Sequence, residues 1–201
     1  TIQGGGNNYI LNGKGPTISG GNSNYAADDY STVAGGSYNT ADGEWATVGA
    51  GQNNKALDKG ATAEGGYRNT AGSDFSIVGG GNANKALGTY SSIEGGSGNM
   101  IGYGTSYCTM AGGNGNFILG TELSFDSEGA SIGGGAYNTA GGDFATVKSG
   151  YNNINLGDYA TIVNGVENQM SGKGATIIGG SANTATGKYS VVSGGYKNIA
   201  E

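Results

Sequence analysis

The sequence lacks histidine and contains one cysteine, Cys108, and one proline, Pro16. Without histidine, and with no pair of carboxylates that stands apart from the rest, the chain has few of the side chains that acid–base and nucleophilic catalysis use. One cysteine cannot form a disulfide within the chain, and it is too few for a structural zinc site. We therefore expect a protein that is not an enzyme and that uses no metal or other cofactor.

Positive charge and long apolar runs are also scarce. The chain has nine Lys and Arg against 15 Asp and Glu, a net charge of −6, whereas nucleic acids and anionic membranes bind proteins with a basic surface. No run approaches the ~18 apolar residues of a membrane-spanning helix, and no signal-peptide pattern opens the chain. We expect no nucleic-acid partner and no membrane insertion of this segment. Because it starts and stops inside a repeat, we also expect a longer or processed parent protein.

Glycine is abundant instead, at 45 of 201 residues, and it recurs in a fixed pattern. A phrase of 15 residues has an aromatic residue or Gly at position one and a small residue at position two. Thr or Ser follows at position three and Val or Ile at position four, with Gly at position seven and Asn at position ten. In the copy that begins at Tyr30, these are Gly36 and Asn39. About 13 copies fill residues 1–201. A short fixed period predicts a single all-β domain, a parallel β-solenoid in which each copy is one coil.

The residue types suggest how a coil is built. Positions one to five alternate as in a strand, so that Ala46 and Val48 point inward and Thr47 outward. The Gly at position seven permits a positive φ, and the Asn at position ten suits the next turn because Asn tolerates left-handed backbone. Stacked Asn amides also favour a ladder of hydrogen bonds between coils. These structural roles are predicted for Gly36, Gly51, Gly66, Gly81, Asn39, Asn54, Asn69 and Asn84.

Each coil provides few apolar side chains for the interior. Each coil buries one Val or Ile, which stabilises by about 1.5–3 kcal/mol. Ordering its 15 residues costs roughly 1–2 kcal/mol for each residue. Lateral association of several chains would pool their apolar faces, so we expect an oligomer, with a homotrimer as the first choice, although this comparison does not determine the symmetry.

The repeated phrase resembles the head repeats of trimeric autotransporter adhesins (YadA-like), and it is also similar to phage tail-fibre shaft repeats. The resemblance rests on phrases followed by Gly, and in the first two also by Ala-x-Gly: Tyr30-Ser31-Thr32-Val33, Phe75-Ser76-Ile77-Val78, Phe144-Ala145-Thr146-Val147 and Tyr189-Ser190-Val191-Val192. The resemblance implies a left-handed β-roll with three chains side by side, used for adhesion at a cell or virion surface. This chain departs from the adhesin pattern by one extra residue in each coil, the double Gly and the Asn at position ten.

The 15-residue period is broken in an irregular region at residues 100–129. About two extra residues fall near Gly104–Ser106 and about seven within Thr121–Glu128. Loops on a rigid scaffold often carry binding residues, so the second insertion is our candidate for a specific contact. A loop that only covers the coil edge is the other interpretation. The candidate binding residues are Glu122, Leu123, Phe125 and Asp126.

Three outward columns offer further sites, each with a structural alternative. The aromatics at position one could form a sugar-binding stripe, interrupted by residues such as Gly60, or they could pack over the coil edge. The Thr column suits ice binding, or it reflects β-propensity and a ladder of hydrogen-bonded hydroxyls. Acids near the coil end resemble a calcium ladder, but their spacing differs from that of calcium-binding repeats and favours a solvated edge. These acids include Asp28, Asp29, Asp42, Asp58, Asp74, Asp143 and Asp158.

The sequence supports three functional predictions, of which the first is preferred. The first is an extracellular, non-enzymatic adhesin rod that binds a host surface glycan or a matrix protein. The alternative is a structural shaft of a phage tail fibre or an extracellular filament without a ligand of its own. A lesser alternative is an ice-binding solenoid, because one Thr in each coil, flanked by aromatics, is a weaker pattern than a doubled Thr row.

Overall fold

The protein is a parallel β-solenoid. The computed structural model describes residues 1–11, 13–119 and 127–201. The regular elements in these ranges are β-strands of two residues each, paired in parallel. None of the described residues belongs to a helix that could cross a membrane. The 15-residue phrase thus builds about 13 coils, which confirms the predicted all-β repeat fold.

The strand bounds are β1 (Tyr9–Ile10), β2 (Thr17–Ile18), β3 (Tyr25–Ala26), β4 (Thr32–Val33), β5 (Thr40–Ala41), β6 (Thr47–Val48), β7 (Lys55–Ala56), β8 (Thr62–Ala63), β9 (Thr70–Ala71), β10 (Ile77–Val78), β11 (Lys85–Ala86), β12 (Ser92–Ile93), β13 (Met100–Ile101), β14 (Thr109–Met110), β15 (Phe117–Ile118), β16 (Ser131–Ile132), β17 (Thr139–Ala140), β18 (Thr146–Val147), β19 (Ile154–Asn155), β20 (Thr161–Ile162), β21 (Gln169–Met170), β22 (Thr176–Ile177), β23 (Thr184–Ala185), β24 (Val191–Val192) and β25 (Ile199–Ala200).

The chain divides into two compact units, residues 1–98 (the first unit) and 99–201 (the second unit). Each unit contains two parallel sheets. The threonine sheet consists of the strands at positions three and four of the coils, in the order β2-β4-β6-β8-β10-β12 in the first unit and β14-β16-β18-β20-β22-β24 in the second. The asparagine sheet consists of the strands that follow the Asn at position ten, in the order β1-β3-β5-β7-β9-β11 and β13-β15-β17-β19-β21-β23-β25.

The described strands keep their pairing register across the two breaks in the 15-residue period. Asn116 bonds to Asn99 across 17 residues, and Asn138 bonds to Asn116 across 22, where other coils show 15. The strands on either side stay in register, since Thr109 pairs with Ser131. These spacings agree with the predicted insertions of about two and about seven residues, and the ladder still presents each Asn at the same height.

The interior of each coil has the predicted composition. Ala46 and Val48 on the threonine sheet and Ala41 and Ala56 on the asparagine sheet are fully buried, while Thr47 between the first two is half-buried. Their alternation follows from the two-residue period of a strand. Each single chain thus fills its own interior, and the homotrimer stays a prediction.

A ladder of buried Asn side chains joins successive coils. Asn39 Nδ2 donates to the carbonyls of Gly35 (2.8 Å) in its own coil and Gly51 (3.0 Å) in the next. Asn39 Oδ1 accepts a hydrogen bond from the backbone N–H of Asn54 at 3.0 Å. The same pattern continues at Asn54, Asn69 and Asn84 in the first unit and at Asn116, Asn138, Asn153, Asn168 and Asn183 in the second. The predicted ladder is confirmed, and most of its bonds go to backbone groups.

The backbone differs from the prediction at two positions of the coil. Position one was predicted to begin the alternating strand, but its aromatic residues have left-handed backbone in a turn, such as Tyr30 with a φ of 59°. Gly36, Gly51, Gly66 and Gly81 have positive φ, between 83° and 90°, as expected for position seven. The left-handed residue near the second turn, however, is the one at position nine, such as Tyr38 with a φ of 56°, and not the Asn at position ten. The predicted left-handed Asn is wrong because that residue leads into the strand, where extended backbone directs its amide into the coil.

Candidate functional site

The outward face of the threonine sheet carries an in-register column of hydroxyl side chains. Thr17, Thr32, Thr47 and Thr62 occupy neighbouring strands of the first unit. In the second unit Ser131, Thr146, Thr161 and Thr176 do the same. These side chains are half-buried, because buried Val or Ile residues alternate with them along each strand. Stacked strands repeat at about 4.8 Å, so the column is a regular row on a rigid surface.

Most hydroxyls of this column have no partner inside the protein. Ser131 Oγ and Thr146 Oγ1 lie 3.2 Å apart, and Thr17 Oγ1 donates to the Gly15 carbonyl at 3.4 Å. Within the described ranges, no intramolecular hydrogen bond is formed by the hydroxyls of Thr32, Thr47, Thr62, Thr109, Thr161 and Thr176. The expected hydroxyl ladder is therefore confined to Ser131 and Thr146, and the six hydroxyls without an intramolecular hydrogen bond are free to bond water.

The neighbours of the column in the second unit are apolar at its C-terminal end. Val163 and Ile178 lie two residues after Thr161 and Thr176, and Ile178 is 50% exposed. The corresponding residue beside Thr146 is Lys148. The surface around Thr161 and Thr176 thus combines methyl groups and free hydroxyls.

In the first unit the corresponding neighbours are small. Ala34 and Gly49 follow Thr32 and Thr47, and the next coil has Glu64 at this position. In each unit, therefore, adjacent coils form a part of the column that has no charged neighbour at position five. This part is bounded by Glu64 in the first unit and by Lys148 in the second.

The aromatics at position one pack against one another. Phe75 stacks on Tyr90 with ring centroids 5.0 Å apart, and Phe144 stacks on Tyr159 at 5.3 Å. A Cβ on Gly60 would lie 2.6 Å from the ring of Phe75, so this ring occupies the space over the glycine. The ring of Phe75 therefore fills the space over Gly60, and this glycine does not interrupt the aromatic stripe. Since stacking covers ring faces, the column favours packing over a platform for sugars.

The insertion predicted to bind lies largely outside the described residues. Glu122, Leu123, Phe125 and Asp126 belong to residues 120–126, which the structure does not describe. The two residues that follow return to the coil. Ser127 Oγ donates to the Gly141 carbonyl at 3.0 Å, and the backbone N–H of Glu128 donates to Asp143 Oδ1 at 3.1 Å. A binding role of this insertion stays a prediction.

The acids near the coil end do not gather into a metal site in the described part of the chain, where no group of three or more potential ligands is found. Asp29 and Asp143 instead accept hydrogen bonds from the backbone N–H groups of Lys14 and Glu128. Cys108 is buried inside the coil, and this burial raises the pKa of its thiol.

The structure brings together a further group of polar residues that the repeat pattern did not indicate. Lys55, Arg68, Thr70 and Lys85 lie on the outward face of the asparagine sheet in the first unit. They occupy positions nine and eleven, which vary from coil to coil, so the repeat draws no attention to them. The available signal was the presence of four cations, Lys59 included, within residues 55–85 of a chain that has nine.

Comparison with known proteins gives one partial match. A family model described as the grass antifreeze beta roll matches residues 140–201. This range contains Thr146, Thr161 and Thr176 of the hydroxyl column and their buried neighbours. No curated protein matches the chain. These comparisons do not support identity with trimeric autotransporter adhesins; the chain is a β-solenoid repeat protein in which residues 140–201 are similar to a grass antifreeze β-roll.

Proposed function

We propose that the protein binds ice through the outward face of the threonine sheet. The observation that carries this proposal is the adjacent, in-register pair Thr161 and Thr176, whose hydroxyls have no protein partner and which lies inside the range similar to the antifreeze β-roll. Strand stacking repeats hydroxyls at about 4.8 Å, close to a repeat of the oxygen lattice of hexagonal ice. Waters bonded to such a row start from positions near those of the crystal.

The chemistry of the surface supports this proposal. Methyl groups of Thr, together with Val163 and Ile178, restrict the orientations of nearby water. Hydroxyls anchor that water by hydrogen bonds that are nearly as favourable as direct ones. Charges would hold differently organised hydration shells, and these two coils have none at positions three and five. Because backbone pairing fixes the side chains, little conformational freedom is lost on contact with a solid surface.

The test replaces one hydroxyl of the column with a charged side chain. We expect Thr161→Lys to lose most of the thermal hysteresis and of the inhibition of ice recrystallisation, because a long cation projects from the row. The matched control is Thr184→Lys, which changes the first residue of a strand on the asparagine sheet, where Lys55 and Lys85 already occupy equivalent positions. Circular dichroism checks that both variants fold.

Two outcomes would contradict ice binding. The first is wild-type protein that shows neither thermal hysteresis nor inhibition of recrystallisation. The second is an equal loss in the Thr161→Lys and Thr184→Lys variants, which would show that the threonine sheet has no special part. The adhesive rod, the structural shaft, the extracellular location and the absence of enzymatic activity stay predictions.

A further inference from the structure

The asparagine sheet of the first unit carries an open cavity of about 310 Å³. It is lined by Asn53, Lys55, Arg68 and Thr70. Lys55 and Lys85 are the strand partners of Thr70 on its two sides. Two cations and two neutral hydrogen-bonding side chains thus surround one groove, and a third cation lies on the next strand.

The charge of this groove is not neutralised by the protein. The ion pairs found among the described residues, Lys59–Glu44 and Lys173–Asp158, involve none of the three cations. All three cations are exposed. The Arg68 guanidinium lies 4.8 Å from the centroid of the Tyr67 ring, a contact that restrains its position. The outward residues of the six strands of this sheet, Tyr9, Tyr25, Thr40, Lys55, Thr70 and Lys85, include no carboxylate.

The second unit repeats the groove without its positive charge. A cavity of about 250 Å³ is lined by Asn152, Ile154, Glu167 and Gln169, followed by Ala182 and Thr184. The first four residues occupy the same repeat positions, nine and eleven, as the residues that line the cavity in the first unit. Ile154 replaces Lys55, and Glu167 replaces Arg68. The coil therefore produces the shape of the groove, whereas the cations line the groove of the first unit and not this one.

We propose that the groove between Lys55 and Lys85 binds an acidic polysaccharide, with its carboxylate or sulfate groups paired with the cations. Arg68 presents a planar fork that suits either anion. Asn53 and Thr70 supply hydrogen bonds for sugar hydroxyls. The proposed ice surface belongs to the other sheet, so this site is independent of it.

The spacing of the cations favours a polysaccharide over a nucleic acid. Lys55 and Lys85 are two strands apart, which is about 10 Å along the sheet. Duplex DNA carries one negative charge for each ~1.7 Å of its axis, and a chain with a net charge of −6 repels such a dense polyanion beyond the groove. A sugar polymer with charges farther apart meets the three cations with less repulsion from the remaining surface.

The experiment measures binding by isothermal titration with polygalacturonate and with a dextran sulfate of low sulfate content, and compares them with neutral dextran and duplex DNA. The variant Lys55→Gln/Arg68→Gln/Lys85→Gln should bind the acidic polysaccharides roughly a hundredfold more weakly, as expected for three cations that face an anionic surface. The control Lys14→Gln/Lys188→Gln/Lys197→Gln changes the net charge equally and should keep most of the affinity. The polymer that binds more tightly identifies the preferred anion.

A transplant tests the same site by gain of binding. Ile154→Lys/Glu167→Arg gives the groove of the second unit the two cations of the first, and we expect the number of polysaccharide sites on each chain to rise. The proposal is overturned if neither acidic polymer binds, if neutral dextran or DNA binds as tightly, or if the control triple variant loses as much affinity as the groove variant.

Discussion

The Asn54→Ala variant will unfold with a free energy about 3–5 kcal/mol lower than that of the wild type. The Asn54 side chain is fully buried and makes three hydrogen bonds. Its Nδ2 donates to the carbonyls of Ala50 (2.9 Å) and Gly66 (3.0 Å), and its Oδ1 accepts from the N–H of Asn69 at 3.0 Å. Alanine lacks the amide that makes these three bonds, so the Asn69 N–H loses its acceptor. A buried group left in this state costs about 1–3 kcal/mol.

Urea unfolding followed by circular dichroism measures this effect, and hydrogen exchange of the Asn69 amide locates it. The control is Asn82→Ala, since Asn82 is exposed and its side chain makes no hydrogen bond in the described structure. We expect the control to change stability by less than about 0.5 kcal/mol. Equal effects of the two variants would contradict a stabilising role of the ladder.

Gly66→Ala will destabilise the protein by about 3–5 kcal/mol or prevent its coil from forming. Gly66 has a φ of 83°, which costs energy for any residue with a Cβ. The added Cβ would also lie 2.9 Å from the backbone nitrogen of Gly81 and 2.7 Å from Asn69 Nδ2, and it would overlap the Gly81 carbonyl oxygen. These atoms belong to the backbone and the buried ladder, so they have little room to move.

The preceding glycine provides the control. A Cβ on Gly65 would have the Ala50 carbonyl oxygen at 3.9 Å as its neighbour, and its φ is not positive. Position six already holds Ala50, Ser149 and Asn164 in other coils. We expect Gly65→Ala to be neutral or slightly stabilising, because alanine restricts the unfolded chain. Thermal unfolding of the two variants tests this, and comparable losses at both glycines would contradict the close-contact explanation.

The repeat made the fold predictable to a fine level. The inward positions of Ala46 and Val48 followed from the alternation of a strand, and the lengths of both irregularities followed from counting against the period. The Asn ladder was also predictable, because an amide repeated at one height in every coil has a neighbour of its own kind. These inferences need only local geometry and stacking.

Other features needed atomic positions. Whether neighbouring hydroxyls such as Thr161 and Thr176 bond to each other depends on rotamers and distances that the sequence does not contain. The space over Gly60 is filled by Phe75 because that ring leans toward the previous coil, a direction that the order of residues does not reveal. The left-handed residue at Tyr38 was missed for a similar reason, since several backbone paths connect a Gly turn to a strand.

By itself, the sequence determined that this protein stacks coils of 15 residues with Gly at the turns and Asn, Ala and Val inside, because stacking places the same demands on every coil. Outward residues are under no such demand, so proteins of different function can share the inward pattern. For this reason the repeat resembles adhesin heads, while residues 140–201 match an antifreeze β-roll. Only the tertiary structure decided which outward side chains stand together. It showed a row of unpartnered hydroxyls on one sheet and a groove with Lys55 and Arg68 on the other, because neighbours on these faces lie a coil apart in the chain and are brought together by folding alone.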